Sequence, residues 1–364
     1  MAFAGLRVGL IGPLPPPAGG MANQTYQLAE LLRGAGAAVE LVQTNAPYRP
    51  AWVGRMPVVR ALFRLLPYLV ALWRCAGRNQ LFHVMANSGW SWHLFAAPAI
   101  RIAAWRGVPV LVNYRGGEAG PFLERAHARI RRSLCHVAVL AVPSGFLQQV
   151  FAQHGLSTCV LPNIVDLTRF RPAPEARVRG AHVVVARNLE PIYDNASAVR
   201  ALAVLRIAHP EARLTLAGTG PEEGNLRSLA SSLGLADAVH LVGRLDRDAV
   251  AALVRQADVV LNPSTVDNAP NSVLEAMASG VPVVSTHVGG VPYIVRDGVT
   301  ALLVPPGDPV AMAAALGRVL DDPVLARALS AAALVDVRQF EWAQVSARLA
   351  QLYQQARTAH EQPG

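Results

Sequence analysis

Short apolar runs alternate with amphipathic stretches along most of this 364-residue chain. Runs rich in Val, Leu and Ile predict buried strands, and segments with apolar positions three and four residues apart predict helices. In the first half, strands are expected at residues 6–11, 38–42, 80–84, 108–112, 137–142 and 158–161. In the second half, they are expected at 182–186, 214–217, 239–242, 259–261, 281–285 and 301–304. This alternation is typical of parallel sheets covered by helices on both faces.

The strands form two series, separated by a connection at residues 162–166 and a polar stretch with prolines and arginines at residues 170–174. The chain length also suggests two domains. We predict an N-terminal Rossmann-like domain at residues 1–167, a second at 168–341, and a C-terminal helix at 342–360. Ligands bind open α/β sheets at the carboxyl ends of their strands, so we expect a central cleft between two doubly wound domains.

A dinucleotide-dependent dehydrogenase is the first rival for such a fold. It requires G-x-G-x-x-G directly after the first strand, so that backbone amides can approach the pyrophosphate. The first strand here runs into Gly12-Pro13 without that pattern. The dehydrogenase interpretation is therefore weak.

The charge of the chain is unevenly distributed. All 33 basic residues are arginine. Residues 1–165 hold 15 arginines and four acidic residues, a net charge of +11, whereas residues 166–364 hold 18 arginines and 20 acidic residues, a net charge of −2. Arginine makes bidentate contacts with phosphate, and a basic first half suggests an anionic partner for that half. A coding bias toward arginine is the alternative explanation.

Other sequence features exclude several classes. Three cysteines without paired spacing suggest a reducing, cytoplasmic compartment rather than a disulfide framework. The ten histidines show no metal-ligand spacing, and we expect no bound metal, no other cofactor and no nucleic acid partner. The N-terminus does not resemble a signal peptide, because a strand begins almost at once.

Residues 51–76 are the most hydrophobic region, interrupted by Arg55, Arg60, Arg64 and Arg74. Because no run of 18 uncharged apolar residues occurs there, we predict no transmembrane helix. Arginine mixed with tryptophan and leucine suits a helix at the inner face of the cell membrane. An amphipathic core helix with a solvated arginine face is the alternative.

The most informative segment extends from Pro263 to Gly290. Asp267 and Glu275 stand eight positions apart, and a small, polar loop and a helix start lie between them. Backbone N–H groups at a helix start attract anions, and carboxylates accept hydrogen bonds from hydroxyls. This combination suits a sugar joined to a nucleoside diphosphate. The structural alternatives are a capping box of Ser272 and Glu275 and a turn role for Asp267.

This segment resembles the glutamate-x7-glutamate signature of retaining glycosyltransferases of family 4, which have the GT-B fold. The match continues through EAMASGVPVVS and the following Gly289-Gly290. The resemblance implies that Asp267 faces the transferred sugar and that Glu275 binds the donor ribose. The amides that would hold the diphosphate belong to Asn268, Ala269, Pro270, Asn271, Ser272 and Val273, of which the proline supplies no N–H.

The resemblance extends to other parts of the second half. Arg187 matches the arginine of the family's phosphate clamp, but the lysine about six residues later is absent, and Tyr193 lies in that region. Gly218 and Gly220 match the family's G-x-G-P turn near the nucleotide. Arg244 lies in the segment whose backbone reads the base, and an ordinary strand end is its alternative.

The first half matches the family less closely. Gly19 and Gly20 resemble its first glycine loop, with a simple turn as the alternative. Arg115 stands where the family often has a histidine, and it can bind phosphate or an anionic acceptor but cannot act as a base. Glu118 follows a Gly-Gly loop and is a candidate for contact with the acceptor. We expect His83 to be structural.

The resemblance implies a retaining hexosyltransferase that moves a sugar from a nucleoside diphosphate sugar to a hydroxyl acceptor in bacterial polysaccharide or glycolipid biosynthesis. The basic first half favours an anionic or lipid-linked acceptor. Two alternatives remain, prompted by the shared architecture and by the missing lysine and histidine. They are a nucleotide-sugar epimerase and a non-catalytic nucleotide-sugar-binding protein.

Overall fold

The structure is a computed structural model, and it describes residues 2–16, 19–48, 59–173 and 180–361. The chain divides into two compact units. Unit 1 comprises Met1–Ile164 with Trp342–Gly364, and unit 2 comprises Val165–Glu341. The division therefore lies three residues before the boundary expected from sequence.

Unit 1 contains a parallel six-stranded sheet in the order β2-β1-β3-β4-β5-β6. Its strands are β1 Arg7–Gly12, β2 Ala38–Gln43, β3 Leu81–Ala86, β4 Val110–Tyr114, β5 Val139–Val142 and β6 Cys159–Val160. Its helices are α1 Gly20–Gly34, α2 Val59–Ala76, α3 Ala97–Trp105, α4 Ala119–Leu134, α5 Gly145–Gln153 and, from the end of the chain, α12 Trp342–Glu361. Strands β3 and β4 are buried along their whole length, as expected for a sheet covered on both faces.

Unit 2 contains a second parallel six-stranded sheet in the order β12-β11-β10-β7-β8-β9. Its strands are β7 His182–Val185, β8 Arg213–Ala217, β9 Val239–Gly243, β10 Val259–Asn262, β11 Val283–Thr286 and β12 Leu302–Val304. Its helices are α6 Asn195–Leu205, α7 Glu223–Ser232, α8 Arg247–Arg255, α9 Asn271–Ala278, α10 Pro309–Asp321 and α11 Pro323–Asp336. The predicted α/β class with two doubly wound sheets is confirmed.

Each of the twelve predicted strands lies within two residues of its expected bounds. Three strands, β4, β5 and β11, begin two residues later than predicted, and two of these begin directly after a proline. Strand β4 starts after Pro109 and β11 after Pro282. Proline has no N–H to donate to a ladder, so it precedes the paired residues instead of joining them.

Helix α12 packs on the sheet of unit 1, which is separated from it by more than 180 residues of sequence. Tyr353 and Leu349 on this helix are buried in the same cluster as Leu10 and Leu111 of the sheet. The Tyr353 hydroxyl lies 2.9 Å from Nδ1 of the fully buried His83. Burial, with a smaller effect of the Arg115 charge, lowers the pKa of His83 to about 3, so this ring is a neutral, structural group.

Candidate functional site

The strand order of unit 2 locates its binding edge. Strands β7 and β10 are neighbours, and the chain winds outward from them in opposite directions. Ligands of doubly wound sheets bind beyond the carboxyl ends of the strands at this reversal of order. Arg187 follows β7 by two residues and Asp267 follows β10 by five. The two loops that sequence patterns marked therefore flank the switch point of the sheet.

Arg187 and Asp267 form an ion pair across this switch point. The Arg187 Nη2 atom donates to Oδ2 of Asp267 at 2.5 Å, and the side chains are only 11% and 9% exposed. The guanidinium also lies over the Tyr193 ring, 4.0 Å from its centroid. Burial raises the pKa of Asp267, and the Arg187 charge opposes that rise. The pair thus presents a fixed cation beside a carboxylate.

Within the described part of the chain, nothing accepts a hydrogen bond from the buried Nε of Arg187. A buried donor without a partner costs roughly 1–3 kcal/mol. An anionic ligand at this position would satisfy it, because a guanidinium matches phosphate oxygens in geometry and charge. Tyr193, in the region of the missing lysine, holds the remaining arginine in place through its ring.

Buried polar side chains at the ends of β10 and β11 support the Asp267 loop. Asn262 donates to the Ser285 hydroxyl at 3.0 Å, and the Thr286 hydroxyl donates to the Ser264 carbonyl at 2.6 Å. All four residues are fully buried. Sequence reasoning missed these residues, although polar residues closing two apolar strands were a visible signal.

Helix α9 begins at Asn271 directly after this loop, with Pro270 as its N-cap. The N-terminus of a helix carries a partial positive charge and can bind an anion. The Gly290 amide donates to the Asp267 carbonyl at 2.8 Å and ties the Gly289-Gly290 loop to the same place. The predicted arrangement of a loop, a helix start and a strand is present.

The capping-box alternative for Ser272 and Glu275 is wrong. Ser272 lies inside the helix rather than at its N-cap, and Pro270 occupies the capping position. The Ser272 hydroxyl is buried without a partner among the residues described. A capping box requires a side-chain oxygen at the N-cap, and proline has none, so the box cannot form.

Glu275 lies one turn into α9, and its side chain is 19% exposed. Oε1 of Glu275 lies 4.0 Å from Nη2 of Arg247, which is at the start of α8. Burial raises the pKa of Glu275 to about 7, and the charge of Arg247 only partly offsets this. The carboxyl is therefore poised to gain or lose a proton near neutral pH. Sequence reasoning did not identify Arg247.

Gly218 and Gly220 bring the loop after β8 against the loop after β7. A Cβ atom on Gly218 would lie 2.0 Å from the Arg187 carbonyl oxygen, and one on Gly220 would lie 2.3 Å from that of Leu189. Only glycine permits this approach without moving the backbone. The two glycines therefore position the loop that carries Arg187.

Arg244 follows β9 and is exposed. Its Nη2 lies 3.4 Å from the Thr219 hydroxyl, between the two glycines. The Gly218 amide donates to the Gly243 carbonyl at 2.9 Å. The loops after β7, β8 and β9 are thus joined by direct contacts, and the predicted residues of unit 2 lie on this one edge of the sheet.

The sheet of unit 1 has its own reversal of order, between β1 and β3. Gly19 is the N-cap of α1, which begins at Gly20 after the loop that follows β1. A Cβ atom on Gly19 would meet nothing within 4 Å, and its φ of −162° is open to any residue. The structure therefore gives no steric reason for this glycine, and its role in binding a diphosphate stays a prediction.

Arg115 follows β4 and is half-buried. Its Nη1 donates to Oδ1 of Asn163, and its backbone amide donates to the Ala86 carbonyl at 2.9 Å. Burial lowers the pKa of Arg115 to about 10, which leaves it charged at neutral pH. Its buried Nε has no acceptor within the residues described. Arg115 is therefore a fixed cation at the carboxyl edge of this sheet.

Glu118 and Trp90 are exposed at the same edge. Glu118 is the N-cap of α4 but makes no side-chain capping bond. Trp90, which sequence reasoning missed, is 78% exposed and begins the helical segment that follows β3, just before a π-helical turn at Trp92–Ala96. A Cβ on Gly116 would lie 2.7 Å from Oδ1 of Asn87, so the loops after β3 and β4 are packed together.

The structure describes only part of the hydrophobic region at residues 51–76. Arg55 lies outside the described residues, and so does the side chain of Arg60. No helix in the described part of the chain is both long and apolar enough to cross a membrane. Across the same residues, no group of three or more potential metal-ligating side chains was found.

Comparison with known proteins places this chain in a family. The fold resembles those of GT-B glycosyltransferases. Sucrose-phosphate synthase from Thermosynechococcus elongatus superposes with a TM-score of 0.76 at 22% identity, covering 97% of this chain and 100% of the other. Anabaena HepE, solved in complex with UDP-glucose, superposes with a TM-score of 0.73 at 18% identity, covering 95% and 99%.

The family model described as glycosyl transferases group 1 matches residues 169–335, and the glycosyltransferase family 4 model matches residues 18–169. A glycogen synthase from Mycobacterium tuberculosis is 30% identical over 284 residues, which cover 74% of this chain and 69% of that protein. The chain belongs to the group 1 glycosyl transferases.

Among other relatives is a D-inositol 3-phosphate glycosyltransferase from Thermobispora bispora, 36% identical over 209 residues that cover 53% of this chain and 49% of that protein. This chain therefore matches about half the length of that relative.

Proposed function

We propose that this protein transfers a sugar, with retention of anomeric configuration, from a nucleoside diphosphate sugar to a hydroxyl acceptor. The observation that carries the proposal is the buried Arg187–Asp267 pair at the switch point of unit 2, beside the start of α9. A guanidinium with an unsatisfied buried N–H beside a helix N-terminus supports a site for a diphosphate.

The residues of unit 2 take distinct roles in this proposal. Arg187 and the first amides of α9 hold the diphosphate and stabilise the charge that develops as it leaves. Asp267, held against Arg187, faces the transferred sugar. Glu275 accepts hydrogen bonds from ribose hydroxyls, and Arg244 lies near the base through its contact with Thr219.

In the proposed step, the bond from C1 of the sugar to the diphosphate oxygen breaks. A bond from C1 to the acceptor oxygen forms on the same face of the ring. The acceptor proton passes to the departing phosphate oxygen, so the step requires no side-chain base. Arg115 cannot serve as one, since it remains charged at neutral pH. Positioning and charge stabilisation supply the catalysis.

The absent lysine removes one cation from the family's usual clamp. We propose that the α9 amides and Arg187, fixed by Asp267 and the Tyr193 ring, neutralise the diphosphate without it. The proposal requires no cofactor besides the donor, because these groups supply the positive potential.

We propose that unit 1 binds an anionic or lipid-linked acceptor at the inner face of the cell membrane, as part of polysaccharide or glycolipid biosynthesis. Unit 1 holds 17 arginines against five acidic residues, whereas unit 2 holds 16 against 19. Arg115 supplies a fixed cation, and the exposed Trp90 offers a ring against which a sugar can stack.

The test begins with a thermal-shift screen of UDP-, GDP- and ADP-sugars, because a ligand of the native state raises the melting temperature. UDP-glucose is the first donor to try, since HepE, which shares the fold, was solved with it. D-inositol 3-phosphate and uncharged inositol form a matched acceptor pair, chosen from the name of the relative. We expect transfer to the phosphorylated acceptor. If the bond from C1 to the diphosphate is axial in the donor, NMR should show an axial C1–O bond in the product.

Other outcomes separate the alternatives. An inverted linkage would refute retention. Interconversion of the donor sugar without any acceptor would identify an epimerase. Donor binding without transfer or donor hydrolysis, across the acceptors tested, would favour a non-catalytic binding protein.

A further inference from the structure

Helix α2 carries apolar residues on the side that faces away from the sheet. Its inner face is buried, including Tyr68 and Leu72. Its outer face carries an apolar stripe that is about half exposed, formed by Phe63, Leu66, Val70 and Trp73. These positions are three, four and three residues apart, so they lie along one side of the helix. A helix that is apolar on both faces is normally buried on both, against protein or lipid.

Helix α3 extends this apolar surface. A groove of about 480 Å³ lies between the two helices, with Leu69 and Val70 on one side and Ile102 on the other. Trp105, at the end of α3, is 75% exposed beside it. We call this surface, formed by Phe63, Leu66, Val70, Trp73 and Trp105 with the groove, the α2–α3 face. Contiguous apolar patches of this kind mark interaction sites.

The charges around the α2–α3 face have one sign. Residues 41–117 contain nine arginines and no aspartate or glutamate. Arg74 and Arg101 line the groove and are exposed. The Arg106 guanidinium lies over the Trp73 ring, 4.7 Å from its centroid. Apolar side chains surrounded by arginines suit a membrane surface, where the apolar groups contact hydrocarbon and the arginines contact lipid phosphates.

We infer that the α2–α3 face docks on an anionic phospholipid bilayer. Trp73, Trp105 and the leucine and valine side chains of α2 enter the boundary between headgroups and acyl chains, and Arg74 and Arg101 contact lipid phosphates. A second copy of the chain would bring two arginine-rich surfaces together, so charge favours the lipid. The inference rests on the proposed membrane location of the acceptor but not on the sugar-transfer chemistry.

Unit 2 provides a matched comparison. It also has a groove, of about 560 Å³ between α6 and α10, with exposed Val310 at its side. Asp321 and Asp322 line that groove together with Arg318, so its charge is mixed. An apolar surface with acidic neighbours is repelled by an anionic bilayer, and it serves as the control surface.

The experiment is vesicle flotation of the full chain at low and high salt, without donor. Vesicles of phosphatidylcholine alone are compared with vesicles containing 30% phosphatidylglycerol. The apolar variant is Leu66→Ser/Val70→Ser/Trp105→Ser, and its control is Ile207→Ser/Val310→Ser/Val324→Ser, all exposed in unit 2. The charge variant is Arg74→Gln/Arg101→Gln, and its control is the exposed pair Arg200→Gln/Arg327→Gln.

We expect the wild type and both controls to float with the anionic vesicles at low salt and to be released by high salt. Neutralising Arg74 and Arg101 should weaken partitioning by about fivefold for each arginine. The apolar variant should lose at least about tenfold, because hydrocarbon burial contributes separately from charge. Because the changed side chains are exposed, circular dichroism should show every variant folded.

Several results would overturn the inference. One is equal flotation of the apolar variant and the wild type, and another is an equal loss in the unit 2 controls. A third is a dimer in vesicle-free sedimentation that Leu66→Ser/Val70→Ser converts to a monomer, which would identify a second copy as the occupant. Vesicle binding by the Glu275→Ala variant distinguishes docking from donor chemistry, because docking should survive the loss of the donor site.

Discussion

Replacing Arg187 with alanine should destabilise unit 2 in a pH-dependent manner. The change leaves the Asp267 carboxylate only 9% exposed and without its cation. Removing one partner of a buried ion pair typically costs about 3–5 kcal/mol. The matched control is Arg227→Ala, whose salt bridge to Glu223 is largely exposed and which should cost less than about 1 kcal/mol.

The pH dependence follows from the pKa of Asp267. Burial already raises this pKa in the native state, and Arg187 opposes the rise. Without Arg187 the native pKa moves further above the unfolded value, so the native state binds a proton that the unfolded chain releases. The free energy of unfolding of the variant should therefore fall, relative to wild type, as pH rises from about 4 toward neutrality. The deficit should be largest at pH 8 and smaller near pH 5.

Hydrogen exchange can measure this deficit locally. Amides of β7 and β10 report on unit 2, and amides of β3 and β4 in unit 1 provide the internal reference. A double-mutant cycle with Asp267→Asn should show that the second change costs less when Arg187 is already absent. In the transfer assay, Arg187→Ala should lower the rate by roughly a hundredfold or more.

Two results would refute the reasoning. The first is a loss of protection in Arg187→Ala no greater than that in Arg227→Ala at both pH values. The second is strict additivity of Arg187→Ala and Asp267→Asn. Either would mean that the pair across the switch point is not energetically coupled.

Three further changes test other parts of the site. Between pH 4.5 and 8 the wild type should lose up to about 3 kcal/mol of unfolding free energy, because the Glu275 carboxyl, with a native pKa of about 7, must ionise while buried. Glu275→Gln should abolish this loss, and parallel pH curves for the two proteins in denaturant melts would contradict the prediction. Gly220→Ala should weaken donor binding in calorimetry, because its Cβ would lie 2.3 Å from the Leu189 carbonyl, whereas Gly224→Ala meets nothing within 4 Å and should bind normally. Trp90→Ala should raise the KM for the acceptor several-fold and leave donor affinity unchanged, and an altered donor affinity would exclude an acceptor role.

The strands could be predicted from the sequence because their evidence is local. A buried parallel strand requires a continuous apolar run, and each such run was visible by itself. The Asp267–Glu275 segment was equally local, since the loop, the helix start and both carboxylates lie within nine consecutive residues. Even the delayed starts of β4 and β11 follow from the prolines that precede them.

The electrostatic partners required the tertiary structure. Arg187 and Asp267 are 80 residues apart, and they meet only because β7 and β10 are neighbours in the sheet. The pKa of Glu275 depends on burial and on Arg247, neither of which a one-dimensional pattern reveals. The sequence by itself determined the element types and the polar residues at strand ends, because these depend on near neighbours in the chain. The order of the strands in the sheet, a long-range property, decided which of those residues act together.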